Sequence, residues 1–213
     1  MYRRLSFLAA LLLVTFPLTF GFTADQPKGD GGKGAGGVST GKVDQERVDK
    51  LIEDWPAKPK ETAREMIEKY GPPNEATASL LIWHNNGPWK RTFLYKEEVP
   101  HEFPMPHTDM LEQFIDFKAP PEKFDELALY DGSVYPDRTK GEISARCDKE
   151  EMNFLAINLA QEVATGKRSV EEAKKFYAET VKAFKEGKSS PYTQGFRFDV
   201  AKGGTADPDK KIG

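Results

Sequence analysis

Cysteine is almost absent from this sequence, and its scarcity limits how the chain can be stabilised. The 213 residues contain one cysteine, Cys147. A single thiol cannot form an intramolecular disulfide, and no cysteine lies near the amino terminus to accept a bacterial lipoprotein anchor. The folded part must therefore be stabilised by the packing of a hydrophobic core.

An excess of positive charge is also lacking. The chain has 31 Lys and Arg residues against 34 Asp and Glu residues, which gives a formal net charge of -3 at pH 7. A polyanion is repelled by such a chain on average, so we expect no nucleic-acid partner. The glycines after Asp30 lack the Lys-Ser/Thr ending of a P-loop, and no internal repeat indicates a solenoid.

Long apolar runs are confined to the amino terminus. Arg3 and Arg4 precede an apolar stretch from Leu5 to Phe22, which small and polar residues follow. This layout predicts a signal peptide over residues 1–24 and an exported protein, periplasmic or secreted. An uncleaved membrane anchor is the alternative, because the run approaches the length of a membrane span; after cleavage we expect no membrane association.

Composition divides the rest of the chain into three parts. Residues 25–42 are rich in glycine and nearly free of apolar side chains, which predicts a flexible linker. Residues 43–200 carry the apolar periodicity of one folded domain, and residues 201–213 predict a disordered tail. The expected domain is therefore of ordinary size and single.

The domain mixes helical and strand patterns without regular alternation. Two helices are predicted before Gly71, and a β-hairpin is predicted near 80–95 around Asn85-Asn86-Gly87-Pro88. Further strands are predicted at 110–117, 133–146 and 192–200, with a short helix at 121–130. Two helices follow, capped by Asp148 with Glu151 and by Ser169 with Glu172. The sequence thus predicts an α+β fold, in which an antiparallel sheet packs against several helices and an antiparallel carboxyl-terminal helix pair.

Three segments resemble a group of exported bacterial proteins of unknown function. They are Lys69-Tyr70-Gly71-Pro72-Pro73, the block from Leu81 to Lys90, and the block from Ala145 to Asn153. The resemblance extends over most of the domain and implies a bacterial exported protein. It implies no activity, ligand or catalytic residue.

The three histidines and the methionines suggest one candidate metal site. His101, Met105 and His107 lie close together in a proline-rich stretch, and imidazole with thioether donors suits copper. His84 joins this site only if the fold brings the hairpin close. A solvated loop is the alternative, because no established metal-ligand spacing is matched.

Cys147 is a candidate reactive thiol. Arg146 and the amino terminus of the following helix favour a thiolate, whereas Asp148 disfavours it. The alternative is an ordinary buried cysteine.

A candidate binding surface surrounds the hairpin turn, where ring stacking and amide hydrogen bonds could hold a partner or a sugar. Its residues are Trp83, His84, Asn85, Asn86 and Trp89. The alternative is that both tryptophans face the core and the asparagines only enable the turn.

Two functions follow from these patterns. The first is a non-catalytic accessory or binding domain, acting on an unknown protein or small ligand without a cofactor. The second is a metal-handling protein or a cryptic hydrolase that uses His84, His101, His107 and Cys147. Acidic residues are abundant, Asp109 and Asp131 among them, but their spacing alone identifies no catalytic pair. Convergence of the histidines and Cys147 around an open cleft would favour the second function.

Overall fold

The computed structural model describes residues 41–213. The predicted signal peptide at 1–24 and the linker at 25–42, except for its last two residues, lie outside the described residues. Within the described range, no helix is both long enough and apolar enough to span a membrane.

A six-stranded antiparallel sheet organises residues 41–213, with the strand order β1-β2-β3-β4-β6-β5. The strands are β1 (Glu75–Ala76), β2 (Leu80–His84), β3 (Arg91–His101), β4 (His107–Asp116), β5 (Val134–Asp137) and β6 (Glu142–Cys147). The predicted hairpin is confirmed, because Leu80 to His84 pair in register with Tyr95 to Arg91. The predicted α+β class is confirmed as well.

Six helices accompany the sheet in the described range. They are α1 (Gln45–Ile52), α2 (Ala57–Tyr70), α3 (Phe124–Tyr130), α4 (Glu150–Ala164), α5 (Val170–Lys185) and α6 (Pro191–Gln194). A 3-10 turn at Pro121–Lys123 precedes α3. The capping box predicted at Ser169 and Glu172 is confirmed at the start of α5.

Apolar side chains form two clusters. The larger cluster joins α3, α4 and α5 to strands β5 and β6, and it includes Trp89. The smaller cluster packs α1 and α2 against β2 and the middle of β3 and β4, and it includes Trp83. Packing of these two clusters stabilises the fold, as the scarcity of cysteine requires.

The hairpin of β3 and β4 sets up the candidate site. Leu94 pairs with Leu111, the register then shifts, and Val99 pairs with Asp109. The strands end with His101 opposite His107. Both strands therefore extend into the proline-rich stretch.

The capping box predicted at Asp148 is wrong. Helix α4 begins at Glu150 after Lys149, without a side-chain cap. The Asp148 carboxylate instead accepts from Cys147 Sγ at 3.6 Å and lies 3.8 Å from Lys149 Nζ. Contacts of the buried Glu150 side chain fix this helix end in place of a local cap.

The edge strand predicted at 192–200 is also wrong. Ser190 caps the short helix α6 there, and only Ala201 bridges to the sheet, at Asp116. The alternating Phe196 and Phe198 pack on aromatic side chains of the core. Their spacing therefore reflects core packing without strand pairing.

The carboxyl-terminal segment predicted as a disordered tail makes specific contacts. The Thr205 hydroxyl is buried and donates to the Gly141 carbonyl oxygen at 2.6 Å. Arg138 forms an ion pair with Asp207 at 3.0 Å. The folded domain thus continues past residue 200, the boundary that composition suggested.

Candidate metal centre

The loop end of the β3–β4 hairpin brings two imidazoles and a carboxylate together. His101 and His107 face each other across the strands, with ring centroids 4.9 Å apart. His107 and Asp109 are alternate residues of β4, so their side chains leave the same face of the strand. One potential ligand atom from each of the three residues lies within 4.8 Å of the other two.

The contacts within this cluster are close but poorly directed. His101 Nδ1 lies 3.1 Å from Asp109 Oδ2, and His107 Nε2 lies 3.0 Å from Asp109 Oδ1. Asp109 is completely buried, yet its Oδ1 and the Nδ1 of His101 have no well-aligned hydrogen bond. Buried polar atoms without a directed hydrogen bond are uncommon in folded proteins, so these two need an explanation.

The other nitrogen of each ring faces a carbonyl or carboxylate oxygen. His107 Nδ1 lies 2.8 Å from the Met105 carbonyl oxygen, to which it donates, so the neutral ring keeps a lone pair on Nε2. His101 Nε2 lies 3.8 Å from the Asp131 carboxylate. A hydrogen-bonded carbonyl partner like that of His107 orients the histidine ligands of metal sites, whereas the 3.8 Å between His101 and Asp131 is longer than a direct hydrogen bond.

Ser133 connects the two carboxylates of the cluster. Its hydroxyl donates to Asp109 Oδ2, and its backbone N–H donates to Asp131 Oδ1 at 2.8 Å. Asp131 ends α3 and Ser133 precedes β5, so this connection ties a helix end to the hairpin. The second oxygen of Asp109 remains available to a further partner.

Burial and mutual contact shift the pKa values of the cluster. Burial opposes ionisation of Asp109, but contacts with His101, His107 and Ser133 outweigh it and hold the pKa of this carboxyl well below its usual range. The Asp109 carboxylate in turn raises the pKa of both imidazoles. Burial raises the pKa of Asp131. Asp109 is therefore the anionic centre of the cluster.

Cys147 lies beside the cluster as a thiol. Its Sγ is 3.5 Å from His107 Nε2. Burial, followed by the charges of Asp148 and Asp109, raises the pKa of the thiol well above its ordinary value. Burial and the neighbouring carboxylates therefore favour the alternative of an ordinary buried cysteine, and the reactive thiol stays a prediction.

Met105 does not bring its thioether to the imidazoles. Its Sδ lies 2.6 Å from Lys185 Nζ, and only its carbonyl oxygen contacts His107. The predicted set of His101, Met105 and His107 is therefore wrong in one residue. The third side chain beside the two imidazoles is Asp109 and not Met105. The loop between the strands turns the Met105 side chain toward α5.

His84 lies apart from this cluster. It pairs with Arg91 at the beginning of β3, whereas His101 ends that strand. Its Nε2 is 2.6 Å from Glu75 Oε1 at an exposed position. The condition under which His84 joins the site is therefore not met.

The aromatic surface expected at the hairpin turn is absent from the described residues. Trp83 and Trp89 are 0% and 1% exposed, and Asn86 is buried with its Oδ1 accepting from Thr92. Asn85 adopts a positive φ of 50°, as a turn residue does. Of the five predicted binding residues, only His84 and Asn85 are exposed.

An open cavity of about 170 Å³ borders the cluster. His107 and Cys147 line it, together with Tyr177, Phe184 and other apolar side chains of α4 and α5. The cluster therefore has an entrance from one side.

Asp109, Asp131 and Ser133 were not predicted as site residues. The spacing of His107-Thr108-Asp109 could have identified Asp109, because alternate residues of a strand share a face. That strand was expected to begin at residue 110, so His107 and Asp109 were not expected to lie on the same strand. Asp131 and Ser133 reach the site only through tertiary packing.

No protein-family model, curated protein or solved structure matches this chain. The resemblance to exported bacterial proteins stays a prediction. The function must be argued from the site itself.

Proposed function

We propose that this protein binds a divalent first-row transition-metal ion, zinc in the first instance, through His101 Nδ1, His107 Nε2 and the Asp109 carboxylate. The observation that carries this proposal is the completely buried Asp109, whose Oδ1 has no directed hydrogen bond although an imidazole nitrogen lies 3.0 Å away. Of the functions predicted from the sequence, this is the metal-handling one, with Asp109 in place of Met105.

The distances within the cluster suit a shared ion. Ligand atoms around a tetrahedral zinc ion with bonds of about 2.0 Å are about 3.3 Å apart. The distances of 3.1 Å from His101 Nδ1 to Asp109 Oδ2 and of 3.0 Å from His107 Nε2 to Asp109 Oδ1 are close to that value, although they end on different oxygens of the carboxylate. One ligand atom from each of the three residues lies within 4.8 Å of the other two. A small opening of the cluster admits the ion and gives the misaligned atoms a common partner.

The donor set favours transition metals over magnesium and calcium. Two imidazole nitrogens and one carboxylate suit zinc, iron, cobalt, nickel or copper, whereas magnesium and calcium prefer oxygen ligands. The argument for copper was the thioether of Met105, and that group contacts Lys185. Zinc is therefore the first ion to test.

The proposed site has three protein ligands and leaves one position of the ion open. Closed structural zinc sites have four protein ligands, whereas three protein ligands with a water or substrate in the open position are typical of catalytic zinc sites. Cys147 contacts only His107 within the cluster and is not a member of the three-residue set. This arrangement supports a metal ion that takes an exogenous ligand in its open position, in a metal-handling protein or a cryptic hydrolase.

The amino-terminal sequence supports export as part of the proposal. Arg3, Arg4 and the apolar run that follows form a signal-peptide pattern. Amino-terminal sequencing of the protein purified from its native source tests this. A first residue near 25 supports export, and an intact Met1 contradicts it.

Metal titration of matched histidine variants tests the site. Isothermal titration of metal-free protein with zinc should give one equivalent bound in the wild type and in His84→Ala, since His84 is exposed and remote from the cluster. His101→Ala and His107→Ala should each bind zinc at least about 100-fold more weakly, because losing a ligand costs more than the roughly 10–100-fold that is typical of losing an orienting partner. Circular dichroism checks that every variant is folded.

Equal zinc affinity in all four proteins would contradict the proposal. So would the absence of saturable binding of zinc, cobalt and copper by the wild type. In either case the cluster is a buried ion-pair network.

A further inference from the structure

The cavity beside His107 continues from the proposed metal position. Cys147 Sγ lies 3.5 Å from His107 Nε2, the nitrogen proposed to bind the ion, and both residues line the cavity. His101 and Asp109 are not among its lining residues. His107 is therefore the proposed ligand that the cluster shares with the cavity, and a group in the cavity would reach the ion past His107 and Cys147.

The cavity wall is mostly apolar beyond those two residues. Met152 on α4 and Val181 and Phe184 on α5 contribute to it. Its volume of about 170 Å³ is close to the roughly 150 Å³ of an apolar cavity that admits benzene. An apolar group about the size of one six-membered ring fits this space.

The charges around the cavity favour an anion. Lys149 and Lys185 line it with a single carboxylate, that of Asp148. A divalent ion held by Asp109 and two neutral imidazoles retains one positive charge. A negatively charged group between the ion and the two lysines is thus electrostatically favoured.

We infer that the cavity binds a small monocarboxylate with a single-ring apolar body, whose carboxylate completes the coordination of the metal ion. The ring packs against Met152, Val181 and Phe184, and the lysines balance the charge from the rim. This inference rests on the proposed metal site, which supplies the ion that the carboxylate binds.

Cobalt-loaded protein with benzoate as the probe tests the inference. The visible spectrum of cobalt(II) reports its coordination, so saturable benzoate binding should change that spectrum. Acetate lacks the apolar body and should bind at least tenfold more weakly. Benzyl alcohol lacks the charge and biphenyl-4-carboxylate exceeds the cavity, so both should also bind at least tenfold more weakly.

Two variants separate the apolar wall from the charged rim. Val181→Phe fills the cavity and should weaken benzoate binding at least tenfold while cobalt binding is retained. Lys185→Met should weaken it about threefold, since exposed charges contribute little. Lys182→Met is the matched control, because Lys182 is exposed on the same helix and does not line the cavity.

The outcomes distinguish this inference from the metal proposal. Cobalt binding without any spectral response to benzoate would overturn the inference and leave the metal site standing. Benzoate affinity that is equal with and without cobalt would also overturn it, because the carboxylate then does not reach the ion. Failure to bind cobalt or zinc at all would contradict the proposed metal site, and the inference that rests on it would fail with it.

Discussion

Two buried carboxylates in this protein have opposite surroundings. Glu150, at the start of α4, accepts from Trp89 Nε1 at 2.6 Å, from the Tyr70 hydroxyl at 2.7 Å, from Gln113 at 3.2 Å and from Lys69. Asp109 accepts a directed hydrogen bond from Ser133 only, while two imidazoles lie close without alignment.

The difference separates a structural carboxylate from a ligand candidate. Donors on α2, the hairpin turn and β4 converge on Glu150, so its charge stabilises the arrangement of those elements. Asp109 has one oxygen left for a partner, and an open cavity borders its neighbour His107. Burial alone is therefore a poor indicator of function, whereas an incomplete hydrogen-bond set beside a cavity is a better one.

Removing Glu150 should have the largest effect on stability. Glu150→Ala leaves the indole N–H of Trp89 and the Gln113 amide buried without this acceptor, so the free energy of unfolding should fall by about 3 kcal/mol. Chemical denaturation measures this, with Glu151→Ala in the same helical turn as the control, expected to cost less than about 1 kcal/mol. The zinc affinity of Glu150→Ala should stay within about twofold of the wild-type value. A large loss of affinity would contradict the distinction between a structural Glu150 and a metal-binding Asp109.

Removing the charge of Asp109 should abolish metal-dependent stabilisation. Zinc at about 100 times its dissociation constant should raise the unfolding free energy of the wild type by about 2.7 kcal/mol. In Asp109→Asn, with affinity about 100-fold lower, the same zinc concentration should add only about 0.4 kcal/mol. Denaturation with and without zinc measures both values, and equal gains would show that Asp109 is not a ligand.

Asp131 should have an intermediate effect through His101. Its carboxylate lies 3.8 Å from His101 Nε2, so its charge acts on the ring from the side away from the proposed ion. Asp131→Asn should therefore weaken zinc binding about tenfold, as loss of an orienting partner does. Titration calorimetry measures this, and unchanged affinity would mean that the ring is held by packing alone.

The stability contribution of Glu142, a further buried carboxylate, should depend on pH. Burial disfavours its charge, but Arg91 and Lys90 outweigh burial and lower its pKa below the usual 4.5. Because the folded-state pKa is lowered, this contribution is fully present well above pH 4.5 and is lost as the pH falls through the folded-state value.

Glu142→Gln should accordingly cost about 1 kcal/mol at pH 7 and progressively less below pH 4. Denaturation curves of both proteins across that pH range measure the difference. A cost that does not depend on pH would mean that packing, and not charge, accounts for the role of Glu142.

Local patterns predicted much of the fold. The hairpin followed from the Asn85 to Pro88 turn between two apolar runs, and the start of α5 followed from Ser169 and Glu172. The errors arose where tertiary contacts replace local ones. Asp148 turns toward Cys147 while Glu150 is held by distant donors, and the aromatic alternation at Phe196 and Phe198 serves core packing.

The candidate site could be predicted only in part. The proximity of His101 and His107 in sequence survives in space because a hairpin joins them. The alternation of side chains along a strand could have predicted Asp109 next to His107, but only if β4 had been expected to begin at His107 and not at residue 110. Local sequence patterns could not predict Asp131 and Ser133, because the packing of α3 and β5 brings these two residues to the hairpin.

X-ray absorption spectroscopy of the zinc-loaded protein tests the central claim most directly, because it reports the ligands of the ion. The account predicts imidazole nitrogen and oxygen neighbours at about 2.0 Å and no sulfur. A sulfur neighbour at about 2.3 Å would instead place Cys147 in a closed site, and a spectrum of fully hydrated zinc would contradict the site altogether.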